Sequence, residues 1–277
     1  MGPVSEFLIS TLTVGRRPQA FLDARWIGWT LGIVPERRKR LWAFRLLSLS
    51  PHYFIDRKTP ENCSLTELAY FEKAAAEWRT SRRQFYDSVL KPRLNGAAAV
   101  MDLGCGPGFL SFAIAGEVSS VAGCDISSGA LACAQVLNPA DNLAYFRIVD
   151  NEIDGLLDES VDAVVSLAVI QHLAMDAYRD VLKLCFRKLK PKGRCLLHVQ
   201  LNEGRWRTED SWLNDTTLKG KLRYRCGLHN FGRPASEHIA AARAAGFESV
   251  AIEPIAHLFP DGLAGIGEQH ILVAEKP

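Results

Sequence analysis

The stretch VMDLGCGPGF, residues 100–109, constrains the fold more than any other, because three alternating glycines follow an apolar run that ends in an acidic residue. The apolar run predicts a buried strand, and glycine lets the backbone turn sharply and approach another group closely. A strand that turns through Gly104, Gly106 and Gly108 into a helix leaves backbone N–H groups at the carboxyl edge of a sheet, where open α/β folds bind ligands. The stretch therefore predicts a ligand cradle.

The chain after residue 97 alternates short apolar runs with helical patterns, which is typical of a parallel sheet with helices on both faces. The runs predict seven strands, at 97–103, 120–126, 143–150, 161–168, 193–201, 248–255 and 270–275. Helices are predicted at 108–116, 128–137, 175–189 and 235–245, the third ending before Pro191 and Gly193. The predicted class is α/β.

Two segments depart from this rhythm. Residues 1–95 predict a helical extension ahead of an α/β domain at 96–277, with no internal repeat. Residues 202–233 form a long insert without clear periodicity, called the lid below. Long loops inside a compact domain usually have a function, and aromatic residues argue for order here. They are Trp206, Trp212, Tyr224 and Phe231.

Composition excludes several classes of function. A hydrophobic fraction of 48% allows a sizeable core, and a net charge of +2 supplies no large basic field for a specific nucleic acid. No apolar run approaches the roughly 18 residues that a membrane span needs. The seven cysteines form no C-x-x-C pair or zinc-like cluster. We expect a cytoplasmic protein with reduced thiols and no metal.

The glycine turn differs from a nicotinamide-binding turn, because its third glycine, Gly108, comes one residue early. DLGCGPG instead resembles the first motif of class I S-adenosylmethionine-dependent methyltransferases of the small-molecule type. VAGCDIS, RIVDNEI, VDAVVSLAVIQHL, LKPKGRCLLHV and HILVAEKP resemble later segments of the family, in order, over residues 97–277. The resemblance implies a Rossmann-like seven-stranded sheet with a helical N-terminal extension and an inserted lid.

The resemblance also implies the cofactor, S-adenosylmethionine, and the product, S-adenosylhomocysteine. Asp102 would hold the amino group, Asp125 the ribose hydroxyls, and Ile126 with Asp150 the adenine. The methionine part would lie against Gly104, Cys105, Gly106 and Gly108. Further implied cofactor contacts are Asn151, Leu167, Gln171 and Trp78, the last as part of an aromatic cap that also suits ordinary helix packing.

Methyl transfer from a sulfonium is an in-line displacement that depends mainly on alignment and exclusion of water. A base is needed only when the acceptor keeps its proton near neutral pH. His172, after the fourth predicted strand, is the candidate base, and its alternative role is to form a wall of the pocket. His229 is a second candidate.

The absence of two motifs narrows the acceptor. No Asp/Asn-Pro-Pro-aromatic run follows the fourth strand and no Pro-Cys pair occurs, which argues against adenine, amide and cytosine methylation. We expect transfer to oxygen or carbon of a small-molecule or lipid-like acceptor. The open alternatives are a non-catalytic cofactor-binding partner, a methyltransferase acting on RNA or protein, and aminopropyl transfer, which a basic lid does not favour.

Basic residues concentrate in two places. Lid cations could meet an anionic substrate or simply face water; they are Arg205, Arg207, Lys219, Lys221, Arg223, Arg225 and Arg233. The first 60 residues contain ten Lys/Arg and four Asp/Glu. Residues 35–50 mix arginines with Trp42, Phe44, Leu46 and Leu47, which suits peripheral contact with an anionic membrane or packing against the domain or a second subunit of a homo-oligomer.

Overall fold

A computed structural model describes residues 25–48, 64–94, 96–201, 206–225, 229–255 and 269–277. Parts of two predicted segments lie outside the described residues. In the lid these are residues 202–205, which include Arg205, and residues 226–228, and in the extension predicted over 1–95 they are all residues outside the ranges just given.

Nine α-helices are described. They are α1 (Arg25–Ile33), α2 (Glu36–Leu47), α3 (Glu67–Phe85), α4 (Phe109–Ala115), α5 (Ser128–Leu137), α6 (Met175–Lys188), α7 (Glu209–Leu213), α8 (Leu218–Arg225) and α9 (Ala235–Ala244). Helix α3 continues through a wider π-helical turn, Tyr86–Leu90, to Lys91–Leu94, and a 3-10 turn covers Ile170–His172. The lid thus contains two short helices that its sequence did not reveal.

The described strands form one sheet. They are β1 (Ala99–Leu103), β2 (Ser120–Asp125), β3 (Leu143–Val149), β4 (Glu152–Ile153), β5 (Val161–Ser166), β6 (Leu189–Val199), β7 (Ser249–Pro254) and β8 (His270–Glu275). Their order is β4-β3-β2-β1-β5-β6-β8-β7. Strands β3, β2, β1, β5 and β6 are parallel, whereas β8 runs antiparallel to both β6 and β7. The predicted α/β class and the seven long strands are confirmed.

The eighth strand, β4, is a two-residue addition at the sheet edge. It pairs antiparallel with β3, Val149 facing Glu152. The two residues between them, Asp150 and Asn151, have φ of 49° and 61°. Positive φ at both central positions is typical of a tight type I′ hairpin turn, in which Asp and Asn are tolerated. The chain therefore folds back here instead of leaving the sheet.

Strand β6 differs most from its predicted bounds. It begins at Leu189, four residues before the predicted start, because Leu189 already pairs with Val161 of β5. A register irregularity between Val161 and Ala163 accommodates the Pro191 to Gly193 stretch, where Lys192 has a φ of 62°. The preceding helix ends at Lys188, one residue before its predicted end.

The N-terminal helices pack onto the α/β domain. Helices α1, α2 and α3 share a buried apolar cluster with Cys133 and Leu137 of α5. Phe44, Leu46 and Leu47 lie inside this cluster, and Phe44 stacks on Phe71 at 5.4 Å between ring centroids. The arginines of α2 lie at its margin, where Arg40 forms a two-point ion pair with Glu72. The apolar side chains of α2 thus pack against the α/β domain, which was one of the alternatives predicted for residues 35–50. The domain boundary at residue 95 stays a prediction.

Gly108 shows why the sheet edge needs glycine. It precedes α4 with a φ of 79°. A Cβ at this position would lie 2.8 Å from Cζ of Tyr145 and closer still to its hydroxyl oxygen. That hydroxyl donates a 2.8 Å hydrogen bond to the carbonyl of Asn138, so the ring has little room to move.

We predict that Gly108→Ala lowers the free energy of unfolding by about 2–5 kcal/mol, because left-handed strain adds to overpacking. Urea unfolding followed by circular dichroism measures the loss. Gly96→Ala is the matched control, since Gly96 has a φ of 77° and an added Cβ there would meet no heavy atom within 4 Å. Equal losses in the two variants would show that contact with Tyr145 contributes nothing.

Candidate active site

A cavity of about 410 Å³ opens at the carboxyl ends of β1, β2 and β5. The size is typical of a small-molecule site. It brings together most of the residues that the sequence singled out: Trp78, Asp102, Gly104, Cys105, Gly106, Asp125, Ile126, Leu167, His172 and His229. This cavity is called the cleft below.

Four other candidate residues do not line the cleft. Gly108 lies behind it at the start of α4. Asp150 and Asn151 form the exposed hairpin turn between β3 and β4, so Ile148 is the β3 residue that reaches the cleft. Gln171 is buried, with its Oε1 atom unpartnered, and its backbone carbonyl accepts a 2.7 Å hydrogen bond from Phe231.

Asp125 joins the glycine turn to the end of β2. Its Oδ2 accepts from the backbone N–H of Gly106 and its Oδ1 from that of Ser127, each at 2.8 Å. Gly104 and Cys105 also donate their N–H groups to the carbonyl of Cys124, at 2.7 and 3.0 Å. Each carboxylate oxygen has a second lone pair, so Asp125 can accept ligand hydroxyls while it holds the turn.

Asp102 is the buried carboxylate of the cleft. Its Oδ2 accepts a 2.6 Å hydrogen bond from the hydroxyl of Ser111. Burial, reinforced by the negative charge of Asp125, raises the pKa of Asp102 to about 7 against the lowering effects of Ser111 and Arg82. A cation bound next to Asp102 would favour its ionised form.

Arg82 is a cleft residue that the sequence reasoning missed. It lies on α3, four residues after Trp78, and both side chains line the cleft. Its positive charge acts on Asp102. The available signal was the i, i+4 spacing, which places a basic residue on the helix face that carries Trp78.

His172 and His229 are tied to each other through backbone carbonyls. Nδ1 of His172 lies 2.7 Å from the carbonyl oxygen of His229. A carbonyl only accepts, so Nδ1 carries the hydrogen and the basic lone pair of His172 is on Nε2.

His229 has both ring nitrogens against carbonyl oxygens, those of His172 and Tyr224, each at 3.2 Å. Burial lowers the pKa of His229 although both carbonyls favour its charged form. Its ring also packs on Tyr224 and Phe231, with centroids 4.8 and 4.6 Å away. His229 is therefore packed into the wall of the cleft, and its role as a base stays a prediction.

The end of the lid is anchored beside the cleft. Phe231 and Arg233 donate their backbone N–H groups to the carbonyls of Gln171 and Gln200. The Arg233 side chain is buried, donates to the carbonyl of Leu173 and pairs with Glu209 at 3.4 Å. These contacts hold His229 near His172.

The lid cations divide into two groups. Arg207 pairs with Asp215 at 2.6 Å, and Arg233 is held as described, so both have structural partners. Lys219, Lys221 and Arg223 are exposed. The side chain of Arg225 lies outside the described residues, and recognition of an anionic substrate by the lid stays a prediction.

Comparison with known proteins agrees with this geometry. Residues 101–197 match the family model described as a methyltransferase domain. A ubiquinone biosynthesis O-methyltransferase of Pseudomonas fluorescens is 31% identical over 145 residues, which cover 48% of this chain and 62% of that protein. The chain therefore matches less than two thirds of the length of this relative.

Two solved structures share the fold. The 1,6-didemethyltoxoflavin-N1-methyltransferase of Burkholderia thailandensis, solved with S-adenosylhomocysteine, has a TM-score of 0.52 at 19% identity and covers 76% of this chain and 84% of its own. A methyltransferase of Methanosarcina mazei has a TM-score of 0.51 at 18% identity, and the match covers 68% of this chain and 96% of that chain. Residues 101–197 therefore match a methyltransferase domain, and the chain has the fold of these two methyltransferases.

S-Adenosylmethionine is the cofactor of such methyltransferase domains, and the residues of the cleft fit it. Gly104 lines the cleft, and it must be glycine because a Cβ there would clash with the side chain of Val169, which packs over it. Asp102 and Arg82 supply both charge signs that an amino acid group needs, and Asp125 supplies acceptors for a diol. Ile126, 45% exposed, offers an apolar surface to a purine.

Two further expectations were that the protein has no metal site and no membrane-spanning helix. Among the described ranges, no group of His, Cys, Asp and Glu has the arrangement of a metal site. In the same part of the chain, no helix combines the length and apolar character needed to cross a bilayer.

We predict that affinity for S-adenosylhomocysteine falls roughly tenfold between pH 8 and pH 6, because only ionised Asp102 attracts the ligand ammonium and its pKa is about 7. Calorimetric titration across this range measures the affinity. The stability of the ligand-free protein changes with pH in the opposite direction from the affinity. Because the pKa of Asp102 is raised in the folded state, its contribution to stability falls as pH rises through about 4 to 7.

Asp102→Asn is the matched variant for this titration. It keeps the shape and removes the charge, so we expect weak binding at every pH and a flat profile in this window. A profile that stays steep in the variant would assign the pH dependence to another group.

Proposed function

We propose that the protein transfers the methyl group of S-adenosylmethionine to a hydroxyl oxygen of a small, ring-containing or lipid-like acceptor. The observation that carries this proposal is the orientation of His172, whose hydrogen-bonded Nδ1 leaves the basic Nε2 lone pair on a residue lining the cleft. The similarity to proteins named O-methyltransferases supports oxygen over carbon.

Residues of the cleft would hold the cofactor by its charged and polar ends. Asp102 attracts the ammonium, Arg82 the carboxylate, and Asp125 accepts the ribose hydroxyls. Trp78 and Phe109 close one side with ring centroids 5.1 Å apart in an edge-to-face arrangement, which excludes water. When bound, the cofactor supplies an electrophilic methyl group on a positively charged sulfur.

His172 would remove the proton of the acceptor. Nε2 of His172 would take up the hydroxyl proton as the acceptor oxygen is methylated, and the bound cofactor would supply the methyl group, with its sulfur as the leaving group. The His229 carbonyl, bonded to Nδ1–H, stabilises the resulting imidazolium. Apolar walls such as Leu167 and Leu173 favour a ring or chain over a charged acceptor.

The experiment that tests this function supplies S-adenosylmethionine with a labelled methyl group to the protein and a native-host extract. Label in the organic or small-molecule fraction supports a small-molecule acceptor, and release of the label as methyl iodide by hydriodic acid, which leaves C-methyl groups intact, identifies an ether. Label in RNA or protein would favour a macromolecular acceptor. Cofactor binding without transfer would favour the non-catalytic alternative.

We predict that His172→Asn slows transfer by about 100-fold or more, the usual contribution of a general base, while affinity for S-adenosylhomocysteine stays within about twofold. Asn keeps an N–H donor near Nδ1 for the lid carbonyl and lacks the Nε2 base. His229→Asn is the comparison, for which we expect the smaller loss. Full activity in His172→Asn would leave this histidine only the role of a wall.

Membrane contact, if the acceptor is lipid-like, has a better surface than the stretch 35–50. Phe44, Leu46 and Leu47 of α2 are buried, and Leu41 and Trp42 are partly buried. In contrast, Trp29 and Ile33 of α1 are 67% and 62% exposed and one helical turn apart. Arg37 and Arg38 follow at the start of α2 and are exposed. An interfacial tryptophan beside cations suits an anionic bilayer.

We predict that the protein sediments with vesicles containing phosphatidylserine, and that replacing Trp29 and Ile33 by Ser weakens this binding by roughly tenfold. Leu157→Ser is the control, because Leu157 is 77% exposed and lies far along the chain, before β5. Equal binding by all variants would exclude this surface. That the protein forms a homo-oligomer stays a separate prediction. Light scattering of the wild-type protein and the variants, without vesicles, measures the oligomeric state.

A further inference from the structure

The turn that follows β5 contains a residue in an unusual conformation. Ala168 has a φ of 60°, in the left-handed region that residues with a Cβ rarely adopt. It lines the cleft between Leu167 and Val169. Such conformations persist only when surrounding contacts hold them, and they concentrate at functional sites. The contact that holds Ala168 is therefore of interest.

That contact is the imidazole of His198. The backbone N–H of Ala168 donates to Nδ1 of His198 at 3.3 Å. His198 lies on β6 and is 3% exposed. His198 belongs neither to the cleft lining nor to the chemistry proposed above, so the proposed function does not account for it.

Gln269 selects the tautomer that this contact needs. Nε2 of His198 lies in hydrogen-bond contact with Oε1 of Gln269, which only accepts. Nε2 therefore carries the hydrogen, and Nδ1 keeps the lone pair that receives the Ala168 N–H. Burial lowers the pKa of His198 to about 4, so the neutral ring persists near neutral pH.

The held turn controls two parts of the cleft. Val169 packs directly over Gly104, where a Cβ would collide with its side chain. The carbonyl of Val169 accepts a 2.9 Å hydrogen bond from the N–H of His172, which starts the 3-10 turn that carries this histidine. A shift at Ala168 would move both the cover of the glycine turn and the candidate base.

We propose that His198 is a positioning residue, which holds the left-handed turn at Ala168 so that Val169 and His172 face the cofactor in a binding-competent arrangement. Gln269 is its tautomer partner. Gln269 is itself tied to the antiparallel edge of the sheet, because its carbonyl accepts a 2.7 Å hydrogen bond from the N–H of Ile255. The inference rests on the proposed function only in the choice of ligand.

The test uses a rescue by glycine. His198→Leu removes the acceptor, and we expect about tenfold weaker binding of S-adenosylhomocysteine by calorimetry. Ala168→Gly makes the left-handed turn favourable without help, so the double variant should recover to within about threefold of wild type. Ala168→Gly alone is the reference for the double variant, because Ala168 lines the cleft and its own replacement can change binding. A merely structural role of His198 would not be rescued by easing the backbone conformation of Ala168, 30 residues away in the sequence.

His198→Asn and Gln269→Leu keep the proposal falsifiable if His198→Leu does not fold. The Asn side chain offers an acceptor close to the position of Nδ1, so it should bind more tightly than any apolar replacement. Gln269→Leu leaves the His198 ring in place but no longer fixes the hydrogen on Nε2. The loss of affinity in this variant should therefore also be rescued by Ala168→Gly. NMR exchange of the Ala168 amide in ligand-free protein should accelerate in both Leu variants.

Each outcome decides a separate question. Unchanged affinity and amide exchange in His198→Leu, or loss that Ala168→Gly does not restore, would overturn the positioning role. Absence of S-adenosylhomocysteine binding by wild-type protein would overturn the proposed function instead, and the amide exchange would still report on the His198 contact.

Discussion

The carboxylate of Asp125 is the contact on which the cleft depends. It joins the glycine turn after β1 to the loop after β2 through two backbone N–H groups, from Gly106 and Ser127. Parallel strands end at the same edge of the sheet, but their loops diverge unless something ties them. The Asp125 side chain satisfies one backbone donor from each loop, and each carboxylate oxygen can accept more than one hydrogen bond.

Two histidines near the cleft hold opposite tautomers, each selected by a neighbouring acceptor. The carbonyl of His229 requires N–H at Nδ1 of His172, which leaves a base at Nε2. The side chain of Gln269 requires N–H at Nε2 of His198, which leaves an acceptor at Nδ1. The same side chain thus serves chemistry in one place and backbone geometry in the other, as its partner decides.

The features that could be predicted are those that depend on short-range sequence patterns. Strands, crossover helices and the turn at Gly104 to Gly108 follow from apolar periodicity and glycine spacing, and Asp125 follows from its position after a strand. Asp150 also follows a strand, yet it lies in an exposed hairpin turn, because the next residues pair back onto β3. Arg82 escaped notice because Asp102, on which its charge acts, is distant in sequence, and only the i, i+4 spacing from Trp78 indicated a place in the cleft.

The sequence alone decided the α/β class, the succession of the long strands along the chain and the ligand-binding edge, since each depends on residues near one another along the chain. Tertiary structure decided which faces are covered: α2 buries Phe44, Leu46 and Leu47, whereas α1 exposes Trp29 and Ile33. It also decided the tautomers of the histidines and the pKa of Asp102. Burial and hydrogen-bond partners set those properties, and both come from residues that only the fold brings together.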